Sequence, residues 1–388
     1  VAFSYWALPI EVTNASWPRR WPDQSPGEAV TSSGTPEARA NFASGPTSSG
    51  VRGTERESQT GGKARFVRPN SPCATESRVP VVPGRGTRGR RVCYLRNVKS
   101  GPRVLIVRFS AIGDCVMSAW AATAIRRAHP DGFLLWAVEG RCAPVVDRHR
   151  LVSTRYEIPR DKWKAHRWSA RTWRDQIAKY ARLRGMGFDW GVDLQGHSKT
   201  ALLLRIAAPS RRLAAGATDA LARKLNPVLP GRPDGTHHVE WQNRVIREFG
   251  DYAIPDRPLL PEDGHPREPD LVTICTGASH PERLIRPETL DDVARRLMAA
   301  GMRVVFLGGP KDVRPGTEGA TDLVGSLRLK ESCAWVRRSA VHIAADTGLG
   351  HVAAAMGTPV VTVFGPQDPR VFRPYTSRGR VLQRDGDP

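Results

Sequence analysis

No stretch of about 18 consecutive apolar residues, the length a membrane-spanning helix needs, occurs in the 388 residues. The six cysteines (Cys73, Cys93, Cys115, Cys142, Cys275 and Cys333) include no C-x-x-C pair. That argues against a zinc site and against a disulfide framework, and fits a reducing compartment. Val1–Ile10 is apolar but has neither a basic n-region nor a small-residue cleavage site, so it does not read as a secretory signal. The expected location is the cytoplasm. Acid is in short supply, with 38 Asp and Glu against 59 Lys and Arg and a net charge of +21. The surplus favours an anionic partner: nucleic acid, a phosphate-bearing substrate or an acidic membrane face. At 40% hydrophobic and 25% charged residues the chain is otherwise ordinary for a globular protein, long enough for two domains and an extension.

The extension is residues 1–100. Gly, Pro and Ser fill 32 of these positions, and 15 basic residues face 7 acidic ones. No apolar periodicity persists, so the segment is expected to be a disordered or spurious basic extension. The Arg–Gly run Gly84–Arg91 keeps a nucleic-acid or membrane tether open as the other reading.

From Arg103 the texture changes. Val104–Val107 is a continuous apolar run, as a strand buried on both faces should be, and an Ala-rich helix follows to about Ala128. Strands are predicted at Phe133–Val138 and Trp190–Leu194, with a helix near Ala143–Arg148 and another through Ala208. Five prolines between Pro255 and Pro269 mark a linker. A second alternating set follows: strands Leu271–Cys275, Arg303–Leu307, His342–Ala345 and Pro359–Phe364, and helices Pro287–Ala300, Ser332–Arg338 and one through Met356. Such alternation implies α/β architecture with parallel sheets.

In parallel sheets ligands bind beyond the carboxyl ends of strands, where helix N-termini point. Three loops qualify. In Ser110–Asp114, Gly113 permits a tight turn and Asp114 is either a helix cap or a catalytic carboxylate. Thr276-Gly277-Ala278-Ser279 can bring backbone N–H groups to an anion. Asp346-Thr347-Gly348-Leu349-Gly350-His351 opens a helix with two glycines and a hydroxyl, a setting that suits a pyrophosphate.

Taken in order, Ser110-x-x-Gly113-Asp114, Val192-Asp193-Leu194-Gln195-Gly196-x-x-Lys199, the Thr276–Ser279 loop, Asp346-Thr347-Gly348-Leu349-x-His351 and Phe364-Gly365-Pro366-x-Asp368-Pro369 resemble glycosyltransferase family 9, the lipopolysaccharide heptosyltransferases. The resemblance runs from about Pro102 to Tyr375. It implies a GT-B fold: an acceptor-binding Rossmann-like domain at 101–254, a linker at 255–269, and a nucleotide-sugar-binding domain at 270–388, expected to be truncated. It implies an inverting transfer of heptose from ADP-heptose to a lipopolysaccharide core acceptor. By motif, Asp114 would be the base. Thr276, Ser279, Arg283, Asp346, Thr347, Gly348, Leu349 and His351 would bind the donor. Ser110, Gly113, Gln195 and Lys199 would lie on the acceptor side. No cofactor and no obligatory metal are expected.

Some positions depart from the family pattern. Ala111 and Gly350 stand where Ser is common, and Arg283 or Arg286 takes the place of a Lys ahead of a Trp-Pro pair. A further strand and C-terminal helix are expected to be missing. Lys162–Arg174 interleaves cations with Trp163, Trp168 and Trp173; it fits either a lipid-linked acceptor at the inner face of the inner membrane or a solvated helix whose tryptophans pack on the sheet. His129, His149, His166, His237 and His238 read as ordinary surface residues. The other readings are a family member with another nucleotide-sugar or glycan, an inactive nucleotide-sugar binder, and a nucleic-acid-binding protein. No nucleic-acid-binding signature occurs in the folded part, so specific nucleic-acid binding is not expected.

Overall fold

The computed structural model describes residues 101–262 and 264–383; the expectations for residues 1–100 fall outside them. Two all-parallel sheets make the framework. The first contains β1 (Arg103–Val107), β2 (Phe133–Glu139), β3 (Thr154–Ile158), β4 (Trp190–Asp193) and β5 (Arg211–Ala214), in the order β3-β2-β1-β4-β5. The second contains β6 (Glu268–Cys275), β7 (Arg303–Leu307), β8 (Thr321–Asp322), β9 (Ser339–Ala345), β10 (Val360–Phe364) and β11 (Gly379–Gln383), in the order β11-β10-β9-β6-β7-β8.

The central strand β1 is what its sequence calls for. Val104, Leu105, Ile106 and Val107 are fully buried between β2 and β4, and each such side chain contributes about 1.5–3 kcal/mol by leaving water. Helix α1 (Ile112–Ala128) leaves β1, buries Trp120 and Ile125, and carries one wall of the site at its N-terminus.

The remaining helices of the first half are α2 (Arg160–Ala165), α3 (Ala170–Arg184), α4 (Ser198–Ala207), α5 (Ala220–Leu225) and α6 (His238–Ile246). The second half has α7 (Pro287–Ala299), α8 (Leu329–Arg338), α9 (Gly348–Met356) and α10 (Pro369–Phe372). Helix α9, whose N-terminus forms the other wall, leaves β9 and ends at Gly357. The φ of 73° at Gly357 is the left-handed cap that glycine favours.

Several expectations need correction. The helix foreseen near Ala143–Arg148 is a single 3-10 turn, Ala143–Val145, because the backbone turns extended at Val146, with ψ at 108°. The expected linker ends early, since β6 starts at Glu268. The strand thought to be missing after Tyr375 is present as β11, paired in parallel with β10.

The histidines do not form one class. His149 and His166 are exposed, but His129 shares a 3.1 Å hydrogen bond with the Tyr252 hydroxyl. His237 is 3% exposed and its Nε2 lies 2.9 Å from the Arg373 carbonyl. Its neighbour His238 packs on Phe372, ring centres 6.0 Å apart. Burial holds the His237 pKa down at about 4 and that of His238 at about 3. Both stay neutral at pH 7 because the start of α6 is covered by α1 and by the Phe372–Tyr375 segment. The edge-on packing of Tyr375 against Trp120, at 5.7 Å, ties that segment to α1.

Candidate functional site

The N-termini of α1 and α9 meet across a cleft of about 730 Å³. Two glycines make the approach possible. A Cβ on Gly113 would stand 2.6 Å from His351 Cδ2, and one on Gly348 would stand 2.8 Å from Ile112 Cγ2. Each helix therefore presents its first-turn N–H groups, which have no acceptor within the helix, to the same space.

Asp114 lines the cleft from the α1 side. It is the third residue of the helix and not its cap, so the cap reading is only half right. Its Oδ2 accepts from the Ala111 N–H at 3.0 Å, as an acid in a first turn does. The same oxygen lies 2.6 Å from Arg108 Nη2, while Oδ1 accepts no hydrogen bond among the described residues. Burial raises the Asp114 pKa, but the Arg108 charge, with help from the Ala111 N–H, more than offsets it, and the net position is below the usual carboxylate value. Arg108 is 5% exposed and also donates to the Leu194 carbonyl.

On the opposite wall stand Ser279, Arg283, Asp346, Thr347, Gly348, Leu349 and His351. Thr347 occupies the cap position of α9, yet its side chain caps nothing; its buried Oγ1 has no nitrogen or oxygen partner. Arg283 Nη1 lies 2.9 Å from Asp346 Oδ2 and 3.4 Å from Ser279 Oγ. His351 Nε2 is 3.9 Å from the other Asp346 oxygen. Burial raises the Asp346 pKa and lowers that of His351. Of the two candidate cations, Arg283 lines the cleft and Arg286, the residue before α7, does not.

Four residues singled out from sequence stand apart from the cleft wall. Thr276 is 3% exposed, and its N–H closes the β7 ladder on the Leu307 carbonyl. Ser110 Oγ reaches Glu139 Oε1 at 3.4 Å. Gln195 Oε1 accepts from the Phe109 N–H at 2.9 Å, which fixes the turn after β4 to that after β1. Lys199 stands near Arg160, Glu139 and Arg141, and burial followed by the Arg160 charge brings its pKa down to about 8.

Sequence reading missed Arg108, Arg141, Asp312, Phe372 and His238. Arg141 lines the cleft and lies 3.0 Å from buried Glu139. Asp312 Oδ2 accepts from the Gly309 N–H at 2.6 Å and sits where a side chain on Gly277 would have to go. Only for Arg108 was there a signal, a cation placed directly after a buried strand. Among the described residues no three His, Cys, Asp or Glu side chains converge as a metal site requires.

The sequence and the fold have counterparts among known proteins. The family model described as "Glycosyltransferase family 9 (heptosyltransferase)" matches residues 177–386. Lipopolysaccharide heptosyltransferase 1 of Pseudomonas aeruginosa is 28% identical over 295 residues, covering 69% of this chain and 79% of that protein. Its namesake in Escherichia coli K12 is 26% identical over 307 residues, covering 72% and 93%. The solved structure of E. coli heptosyltransferase WaaC with ADP superposes with a TM-score of 0.62 at 22% identity, over 73% of this chain and 94% of that one.

Proposed function

The chain belongs to glycosyltransferase family 9 and has the GT-B fold, and from that premise we propose that it transfers heptose from ADP-heptose to a lipopolysaccharide core acceptor with inversion. In this reading residues 101–254 bind the acceptor, 255–267 link, and the part that begins with β6 at Glu268 binds the donor. The observation that carries it is the cleft in which an ionised Asp114 faces the open N-terminus of α9 beside Arg283.

Asp114 takes the proton of the acceptor hydroxyl while that oxygen bonds to the anomeric carbon. The bond from that carbon to the diphosphate oxygen breaks on the opposite face, and ADP leaves. The negative charge gathering on ADP meets the N–H groups of Gly348 and Leu349, the Thr347 hydroxyl and the Arg283 cation. Ser279, Thr276, Asp346 and His351 shape and support that cradle. Because these groups supply the charge stabilisation, the reaction is read as needing no obligatory metal. On the acceptor side Gly113 keeps the approach open. Ser110 and Gln195 hold the loops, and Lys199 with Arg141 favours an anionic sugar or phosphate. The acceptor is a glycolipid, so the site of action is the cytoplasmic face of the inner membrane.

Thr347→Val is expected to weaken ADP binding while leaving the melting temperature unchanged. A hydrogen bond to a charged group is worth about 1.5–3 kcal/mol, which is roughly 10- to 100-fold in Kd. Titration calorimetry with ADP checks this, and an unchanged Kd removes the α9 N-terminus from the donor site.

The ion pair sets a pH dependence. A base must be ionised, and the depressed Asp114 pKa keeps it so down to pH values below the usual 3.8. Rate is therefore lost only as the pH falls through that lowered value. In Arg108→Met, burial is no longer offset by its main opponent, so the carboxyl pKa rises and the acid limb of kcat/KM moves to higher pH. A limb that stays where it was means that Arg108 does not hold the base.

A further inference from the structure

The surface of α2 and α3 is built against the usual economy of a soluble protein. Trp163 is anchored, edge-on to buried Tyr180 at 5.9 Å. Trp168 and Trp173 are not: they are 85% and 51% exposed, and Ile177, one turn beyond Trp173, is 42% exposed. Only six large hydrophobic side chains are exposed among the described residues, and these three fall within ten positions. Around them residues 160–184 carry nine Lys and Arg against two Asp. A groove of about 670 Å³ between the two helices is lined by Lys162, His166, Arg171, Lys179 and Arg182, with Asp175 the single acid.

Tryptophans standing in water amid cations match the chemistry of a bilayer surface. Indole settles at the headgroup boundary, long cationic side chains reach the phosphates, and each Lys or Arg near an anionic leaflet adds attraction. Aliphatic Ile177 gains from acyl chains but has no use in stacking on nucleobases. We propose that the α2–α3 face is a docking surface for an anionic lipid bilayer, with Trp168, Trp173 and Ile177 entering the interface. The proposal rests on the glycolipid-acceptor reading above only for its purpose; the surface chemistry stands by itself.

Docking there brings the acceptor side of the cleft to the membrane. Arg160 at the start of α2 lies 2.5 Å from Glu139 Oε1, and Glu139 Oε2 holds Arg141, which lines the cleft. The bilayer-facing helix and the site of chemistry are thus two ion pairs apart.

The test is co-sedimentation of the full chain with vesicles of phosphatidylcholine containing one-quarter phosphatidylglycerol, at physiological salt, beside pure phosphatidylcholine vesicles. The protein should partition into the anionic vesicles alone. Trp168→Ala/Trp173→Ala should lower the partition coefficient by about tenfold or more with ADP affinity and melting temperature unchanged. Arg167→Glu/Arg171→Glu should lower it at least as much, whereas Arg295→Glu/Arg296→Glu on the exposed face of α7 should leave it nearly as it was, which separates a local surface from the effect of net charge. Equal partitioning of the Trp variant and the parent, or equal losses from the two charge reversals, would overturn the proposal. Transfer to a delipidated core oligosaccharide is unaffected by the Trp variant, so a failure of the docking surface and a failure of the heptosyltransferase reading are distinguishable.

Discussion

Replacing Asp114 with Asn is expected to slow transfer by about 10²–10⁴-fold, the usual range for losing a general base, while donor binding stays intact. The geometry makes this substitution informative. Asn keeps an oxygen to accept from the Ala111 N–H, which lies 3.0 Å from the carboxylate in the parent, and to meet Arg108, so the first turn of α1 retains its hydrogen bonds. What it lacks is a basic oxygen. Were Asp114 only a helix-start residue, Asn would serve nearly as well and turnover would hardly change. Some loss of stability is expected, because Arg108 is 5% exposed and exchanges a carboxylate for an amide. A melting curve reports it separately from kcat, and near-parental turnover by a folded Asp114→Asn protein would move the base elsewhere in the cleft.

Arg283→Met should be the next largest effect, about 10²–10³ in kcat, as for removing one preorganised stabiliser of a developing anion. Arg283 and Asp346 are 19% and 9% exposed as side chains and 2.9 Å apart. Losing the cation leaves the Asp346 carboxyl, already raised by burial, to rise further. Arg283→Lys restores a charge but, on a stem of different length and without the planar guanidinium, does not place a nitrogen where Nη1 meets both Ser279 and Asp346, so partial recovery is expected. Arg286→Met, away from the cleft wall, should leave kcat close to the parent. The opposite pattern, with Arg286 the sensitive residue, would reassign the cation.

How far the sequence disclosed this molecule depended on how each element is buried. β1, β7 and α9 were legible because a strand covered on both faces reads as an unbroken apolar run and a glycine closes the following helix. β3, with Arg155 and Glu157 at a sheet edge, and β5, which begins Arg211-Arg212, carry charge on partly open faces and show no such run. Helix α6 was missed because its signal is amphipathic and brief. That omission also hid His237 and His238, whose burial is imposed by Phe372 and Tyr375 from the far end of the chain. Most of the donor-side residues were readable, being contiguous in loops at strand ends. Arg108 showed only as a cation directly after a buried strand, and its role was hidden because its partner Asp114 is six residues on, across the loop from β1 into α1, a distance no helix or strand period specifies.

Incubation with ADP-heptose and a purified lipopolysaccharide core acceptor, with mass and NMR analysis of the product, tests the proposed reaction most directly. One heptose should be added for each ADP released, with the configuration at its anomeric carbon inverted relative to the donor. Tight ADP binding with no heptose transferred, or a product that retains the donor configuration, would contradict it.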